Sequence, residues 1–368
     1  MTKLLRFFSI IKKPIKKIWT IRESIKLIYN YLFIASNYNS KNPKLYYGGS
    51  LIGNIGGPLV KVKKLNQFFP EHNWNFNIIY LLSNSIYLSS ASINLIRKKK
   101  VPVILNQNGV FYPEWFKGNW KEENHKMSKI YHSADYVLWQ SNFCKKASEK
   151  FLGNRIGNGE ILYNAVDTSI FTPKNRSKNK FFTFLITGNI RKISNYRIIS
   201  VLYALKNFIS ENYNIQLIIA GFIEDRKYIN LKIKQLNLEN HIKFYEEYSQ
   251  RDAPKIYQEA DAYITMTFQD NCPTAVLEAM ASGLPILYSS SGGIPELVGE
   301  ESGIGINVEE NWDQTMVPND STIANGMKEI IDKKNIMSQA SRIRAVEFFD
   351  IKKWIVRHIN IFEKLLDQ

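Results

Sequence analysis

Cysteine is nearly absent. Cys144 and Cys272 are the two in 368 residues, too few for a disulfide framework and without a C-x-x-C spacing. A disulfide-stapled fold and a structural zinc site are therefore excluded, and a reducing compartment is implied. Long apolar runs are also missing. The longest uncharged stretch, His72 to Ile96, is interrupted by Asn73, Asn75, Asn77, Ser83, Asn84, Ser85, Ser89, Ser90, Ser92 and Asn94, a polar density costly in hydrocarbon, so it is not read as a membrane span. Acidic residues are scarce relative to basic ones, 33 against 49, and the formal net charge of +16 favours anionic partners. The sequence has no G-x-x-x-x-G-K-[ST] for a P-loop and no Asp-x-Asp. His72, His125, His132, His241 and His358 stand at no metal spacing, so no metal ligands are assigned and each histidine is read as structural.

What is present suggests two domains, since the length is about twice the ~150 residues of a typical one and 45% of residues are hydrophobic. Residues 1–40 form a basic amphipathic segment: Phe8, Ile11, Ile15, Ile18, Ile25, Tyr29 and Leu32 recur mostly at three- and four-residue steps, bent near Pro14, among Lys3, Arg6, Lys12, Lys13, Lys16 and Lys17. The interleaving of charge, with no small-residue cleavage site, argues against a secretory signal. A cytoplasmic protein is expected, peripheral on the cytoplasmic face of a membrane. From Tyr46 onward short apolar runs alternate with helical patterns: strands are expected at 78–82, 101–105, 136–139 and 161–163, then, after the apolar-free stretch Lys174 to Lys180, at 182–187, 216–220, 242–244, 262–265 and 285–288. This predicts an α/β protein of two Rossmann-like, doubly wound domains, 41–173 and 174–350, with ligands at strand ends facing a cleft and 351–368 as a helix packing back towards the first domain.

The segment Thr267 to Pro285 is the most informative. Pro273 suits a first helical turn and Gly283 a helix end, so a short helix is expected between them. Amide groups around Thr274 to Leu277 would then attract phosphate. Asp270 precedes the helix and Glu278 sits on its second turn, where ionised carboxylates can accept bonds from sugar or ribose hydroxyls. On spacing alone, Asp270 as a turn former and Glu278 as a solvated helix residue remains the alternative. Cys272 reads as a small packing residue. The glycines from Gly48 to Gly57 read either as a flexible turn or as a lid that lets backbone approach a ligand.

Asp270-x7-Glu278, followed by Ala279 to Pro285 and by Gly292-Gly293-Ile294-Pro295-Glu296, resembles the E-x7-E block of glycosyltransferase family 4, the retaining nucleotide-sugar transferases of GT-B fold; Asp replaces the first Glu. Ala134 to Val137 with Ser141, Ile161 to Asp167 and Phe171-Thr172-Pro173 resemble that family's end-of-first-domain pattern. Gly48-Gly49, Gly53 and Gly56-Gly57-Pro58 resemble its acceptor-side loop.

The resemblance implies that Glu278 holds the nucleotide ribose, that backbone near Thr274, Val276 and Leu277 holds the diphosphate, and that Asp270 holds donor hydroxyls. It also implies front-face attack without a protein nucleophile, so positioning and charge stabilisation supply the catalysis. The cation comes from the loop after the second domain's first strand, where Asn189 follows Gly188 instead of the family's Arg; Arg191 and Lys192 are the candidates, with Arg197 ranked below them for falling inside the next helix. Where many relatives carry a first-domain His, this chain has Asn106 and Asn108, whose amides could bond sugar hydroxyls, with Tyr112, Trp115 and Trp120 beyond them as stacking or core residues.

The function implied is transfer of a sugar from a nucleotide-sugar to a glycan or lipid-linked acceptor in surface polysaccharide biosynthesis, with no cofactor, no metal and no nucleic-acid partner. A nucleotide-sugar epimerase of the same architecture is the enzymatic alternative, and a basic membrane- or nucleic-acid-binding protein the non-enzymatic one. Residues 1–34 are expected to dock on an anionic membrane surface.

Overall fold

The structure, a computed structural model, describes residues 18–34, 42–50, 57–83, 88, 90–98, 100–174, 181–209 and 214–367. The expectations for Lys3 to Lys17, Gly53, Gly56 and most of the Lys174 to Lys180 stretch lie outside these residues. The chain divides into two compact units: 1–112, 116–162 and 355–368 form the first, and 113–115 with 163–354 the second.

In the first unit, helix α1 (18–29) continues as a π-helical turn, Asn30–Ile34. Then follow β1 (Leu45–Tyr46), α2 (Gly57–Phe68), β2 (Ile78–Leu82), α3 (Ser90–Arg97), β3 (Val103–Gln107), α4 (Trp120–Ser133), β4 (Tyr136–Trp139), α5 (Asn142–Leu152) and β5 (Asn158–Ile161). The strands pair in parallel in chain order, β1 to β5. Strands β2, β3 and β4 are buried throughout, the condition of parallel strands covered on both faces. Strand β3 starts two residues later than the apolar run suggests because Pro102 has no N–H; the first ladder residue is Val103, whose N–H donates to Asp135. Strand β5 begins earlier than expected. A Cβ on Gly159 would lie 2.5 Å from the Val137 carbonyl oxygen, so the glycine is what lets this polar strand reach β4. Ser141 caps α5 by accepting from the Cys144 N–H at 3.0 Å.

The second unit contains β6 (Phe182–Thr187), α6 (Tyr196–Ile209), β7 (Ile215–Ala220), α7 (Arg226–Gln235), β8 (Ile242–Tyr245), α8 (Ala253–Tyr257), β9 (Ala262–Thr265), α9 (Thr274–Ala281), β10 (Ile286–Ser290), α10 (Ile294–Val298), β11 (Gly303–Asn307) and α11 (Asp320–Phe348). Its six strands run in the order β11-β10-β9-β6-β7-β8, all pairs parallel. Alternation along the strands feeds two apolar layers. Phe184 and Ile186 join Leu205, Ile229 and Met327 on one face, while Leu185 joins Tyr257, Leu277 and Met280 on the other.

The units divide at Leu162/Tyr163 rather than at 173/174. The reason is pairing: Val166 donates its N–H to Phe349 and accepts from Ile351, and the Asn164 side chain donates to the Cys272 carbonyl. Residues 113–115 join the second unit because the Glu114 N–H donates to the Trp312 carbonyl and its carboxylate accepts from Thr315. The last helix, α12 (Ile351–Leu366), ends on the first unit, where Phe362 packs on Phe69 and Tyr80 and Arg357 pairs with Glu160.

Candidate active site

In the second unit the strand order reverses between β6 and β9, because β6 neighbours both β7 and β9. Loops leaving the carboxyl ends of two such strands run in opposite directions and leave a crevice, the usual ligand site of an open α/β sheet. The loop after β6 begins at Gly188, φ +137°. A Cβ on Gly221, at the end of β7, would lie 2.4 Å from the Gly188 carbonyl oxygen, so these two loops touch through backbone alone. The loop after β9 carries Gln269, with φ +52°, and then Asp270. It is fastened to the loop after β10: the Gln269 N–H donates to the Ser291 hydroxyl at 3.0 Å and the Gly293 N–H to the Asp270 carbonyl at 2.7 Å. A Cβ on Gly292 would stand 2.4 Å from that same carbonyl oxygen, at a φ of +67°, which is the geometric cause of glycine at 292.

Asp270 is half-buried at the mouth of this crevice. Burial pushes its carboxyl above the usual carboxylate range; the Cys272 N–H, donating to Oδ1 at 3.1 Å, and the charge of Arg197 oppose that rise. Glu278 lies on α9, which does run between Pro273 and Gly283, and its Oε2 accepts from the Tyr257 hydroxyl at 2.9 Å. Tyr257 and Tyr263 both meet the Thr187 hydroxyl at 3.1 Å, so a polar chain links the end of β6 to Glu278. Burial raises the pKa of both tyrosines, and the Glu278 charge adds to the rise, keeping the phenols protonated as donors.

Val276 and Leu277 lie in the first turn of α9. Their side chains are buried in the apolar layer under α9 and the Val276 N–H already donates to the Pro273 carbonyl at 3.1 Å. Thr274, the first residue of α9, is half-buried.

The cations are redistributed. Arg191 and Lys192 are exposed on the short 3₁₀ turn before α6; the Lys192 N–H donates to Glu224 and its ammonium lies 4.0 Å from Asp225, on the side of α7. Arg197 stands beside the crevice. A Cβ on Gly188 would lie 3.7 Å from its Nη2, and its charge acts on Asp270 and Tyr263. Position inside the helix is the reason: the side chain of a first-turn residue leans back towards the helix N-terminus, here over the β6 loop.

In the first unit, Tyr47-Gly48-Gly49-Ser50 is a turn at the end of β1, closed by the Ser50 N–H on the Tyr47 carbonyl at 3.1 Å with φ of +64° and +77° at the glycines. A Cβ on Gly49 would lie 2.7 Å from the Glu23 side chain, so this glycine serves close packing of α1. Gly57 begins α2. Asn106 does not reach outward as expected: it is fully buried, accepting from the Lys61 ammonium at 3.0 Å and donating to the Tyr80 hydroxyl, which meets His358 at 3.0 Å. Residues at the inner positions of β3 point into the sheet's covered faces, which explains the difference. Asn108, past the strand end, is half-buried, with its N–H on Ser83 and its Oδ1 accepting from Gln140. Tyr112 is buried against Phe151, Trp120 meets the same ring edge-on, and Trp115 is exposed. Among the described residues no group of three or more His, Cys, Asp or Glu is arranged to hold a metal ion, and no helix is long and apolar enough to cross a membrane.

The chain is similar to solved structures of the GT-B class. A glycosyltransferase of Rickettsia africae superposes with a TM-score of 0.62 at 17% identity, over 86% of this chain and 84% of that one. HepE of Anabaena, solved with UDP, superposes with a TM-score of 0.60 at 15% identity, over 84% and 82%. In sequence it is 25% identical to spore coat protein SA of Bacillus subtilis over 189 residues, 49% of this chain and 48% of that protein, so it spans about half the length of this curated relative. The fold is GT-B. Residues 167–344, which carry Gly188, Arg197, Asp270 and Glu278, match the family described as glycosyl transferases group 1.

Proposed function

We propose that the protein is a retaining, family 4 glycosyltransferase of hexosyltransferase type, which moves a sugar from a nucleotide-sugar to a glycan or lipid-linked acceptor at the cytoplasmic face of a membrane. The observation that carries this reading is the grouping of Gly188, Arg197, Asp270 and Glu278 around the one strand reversal of the second unit's sheet. Glu278, oriented by Tyr257, takes the ribose hydroxyls. Asp270 takes hydroxyls of the donor sugar. Arg197 faces the diphosphate and stabilises the charge that develops on it as the glycosidic bond breaks, the kind of fixed electrostatic aid that lowers such barriers most. No side chain acts as nucleophile: the departing diphosphate draws the acceptor proton as the acceptor attacks the same face. HepE, solved with UDP-glucose, supports a uridine donor, and spore coat protein SA supports a product destined for the cell surface.

Incubating the chain with UDP-, GDP- and ADP-sugars, and following nucleotide release and the anomeric configuration of the product by NMR, tests the reading. Release from one donor with retained configuration is expected. Release from none, with no nucleotide binding either, overturns it.

A further inference from the structure

Helix α1 sits on the first unit by its polar side. Glu23, Lys26 and Asn30 are buried, together with Leu27, at steps of three and four residues that define one helix face. Their polar groups are engaged there: Glu23 accepts from the Tyr46 hydroxyl and pairs with Lys26 at 2.9 Å, Lys26 donates to Asn73 at 2.6 Å, and Asn30 donates to the Trp74 and Phe76 carbonyls. The opposite face carries Ile18, Ile21, Ile25, Ile28 and Leu32, all exposed, from 43% for Ile28 to 64% for Ile18. This inverts the ordinary arrangement, in which a surface helix turns its apolar stripe to the core. Trp74, 49% exposed, extends the ridge and stands 5.3 Å from the Tyr29 ring. Between α1 and residues 71–75 runs a trough lined by Ile18, Ile21, Ile25 and Trp74, with Arg22 also on its wall.

A buried ion pair is retained on the inside at the expense of desolvation, while the isoleucines are left outside. An apolar partner on the outer face resolves that imbalance. The sequence identifies its charge. Lys3, Arg6, Lys12, Lys13, Lys16 and Lys17 come before Ile18 in the sequence, and the chain carries +16 overall. A second copy of the chain would bring like charge against like charge, whereas an anionic bilayer supplies both an apolar layer and the opposite sign. We infer that the outer ridge of α1, with Trp74, is the surface by which this protein lies on an anionic lipid bilayer, its isoleucines in the acyl boundary and Arg22 at headgroup level. This deepens the membrane-side reading proposed above, but does not depend on the donor or on catalysis.

The test is flotation of the full chain with vesicles of phosphatidylglycerol and phosphatidylcholine, and with phosphatidylcholine alone, at low and high salt. Wild type is expected to float with the anionic vesicles at low salt, and Ile21→Ser/Ile25→Ser/Leu32→Ser to lose at least about tenfold of that binding. The triple variant is expected to keep its melting temperature and any nucleotide binding, because the three side chains are exposed. In a second measurement, brominated acyl chains quench part of the tryptophan emission of wild type and less of it in Trp74→Phe. Undiminished flotation of the triple variant, undiminished quenching in Trp74→Phe, or no flotation of wild type overturns the inference. So does a dimer in sedimentation equilibrium that the triple variant dissolves without any vesicle binding.

Discussion

The Asp270 carboxyl has one N–H donor, from Cys272, and one nearby guanidinium, from Arg197, to favour its charge, but burial withholds from the ionised form the hydration it would have in water. Asp270 is therefore expected to titrate above the usual carboxylate range. If its ionised form binds donor hydroxyls, kcat/KM rises with pH through that raised value, and Asp270→Asn removes the limb along with most of the activity; a limb unchanged in Asp270→Asn would assign it to another group. The stability sign is opposite. Between the unfolded and the raised folded pKa the native state binds more protons than the unfolded one, so the proton-linked stability is full at low pH and is lost as pH rises through the folded value. Asp270→Asn is then expected to gain in Tm relative to wild type as pH increases, which thermal melts across the acidic range would show. Arg197 offers a second comparison. Its removal is expected to lower kcat about 10²-fold or more, the scale of losing one aimed donor to a developing charge, while Lys192→Ala stays within about threefold because that side chain is solvated beside Asp225. Equal losses in the two variants would return the role to the loop. Spacing alone left Asp270 and Glu278 open as a turn former and a solvated helix residue, and the resemblance singled them out; Arg197 was ranked low for falling inside a helix, whereas a first-turn side chain leans back over the preceding loop.

Among the elements, α9 could be read closely because Pro273 and Gly283 have strong backbone preferences, and Gly283 indeed ends it at φ +73°. Strands β6 and β9 were equally plain as apolar runs. Strands β5 (Asn158–Ile161) and β11 (Gly303–Asn307) were not, since each contains glycine where an apolar side chain would mark a strand. The direction of α1 was also illegible: periodicity reveals that a helix has two faces, and which one is turned inward is decided by partners such as Tyr46 and Asn73, distant in sequence. The close approach of the β9 and β10 loops gives a prediction at this scale. Gly292→Ala places a Cβ 2.4 Å from the Asp270 carbonyl oxygen and at a positive φ of +67°. It is expected to destabilise the protein by about 1–3 kcal/mol and to displace Asp270, so chemical denaturation and turnover should fall together. Wild-type stability in this variant would mean that the loops yield without cost.

At the scale of the molecule, composition and alternation were enough to anticipate two parallel-sheet units, while the strand order that creates the crevice was not available from local pattern. Order depends on which runs pair across long stretches of chain, and β6 finds its second neighbour in β9, beyond β7 and β8. The boundary likewise moved because Val166 pairs with residues near Asp350, a contact invisible to composition. The net charge of +16 does not by itself place a cation anywhere. The crevice does: Arg197 stands next to Gly188, and the chain has no Asp-x-Asp to recruit a divalent ion to a diphosphate. Binding of UDP to the folded chain is then expected to raise its Tm, by the linkage that gives about 2.7 kcal/mol at a hundredfold excess over Kd. Because the charge partner is a side chain, the shift is expected to persist in EDTA, to shrink with added salt, and to be largely lost in Arg197→Ala. Thermal melts of the full chain with and without UDP, EDTA and Mg²⁺ make the comparison. A shift that disappears in EDTA, returns with Mg²⁺ and is indifferent to Arg197→Ala would show that the diphosphate is held by a metal and that Arg197 serves only to balance Asp270.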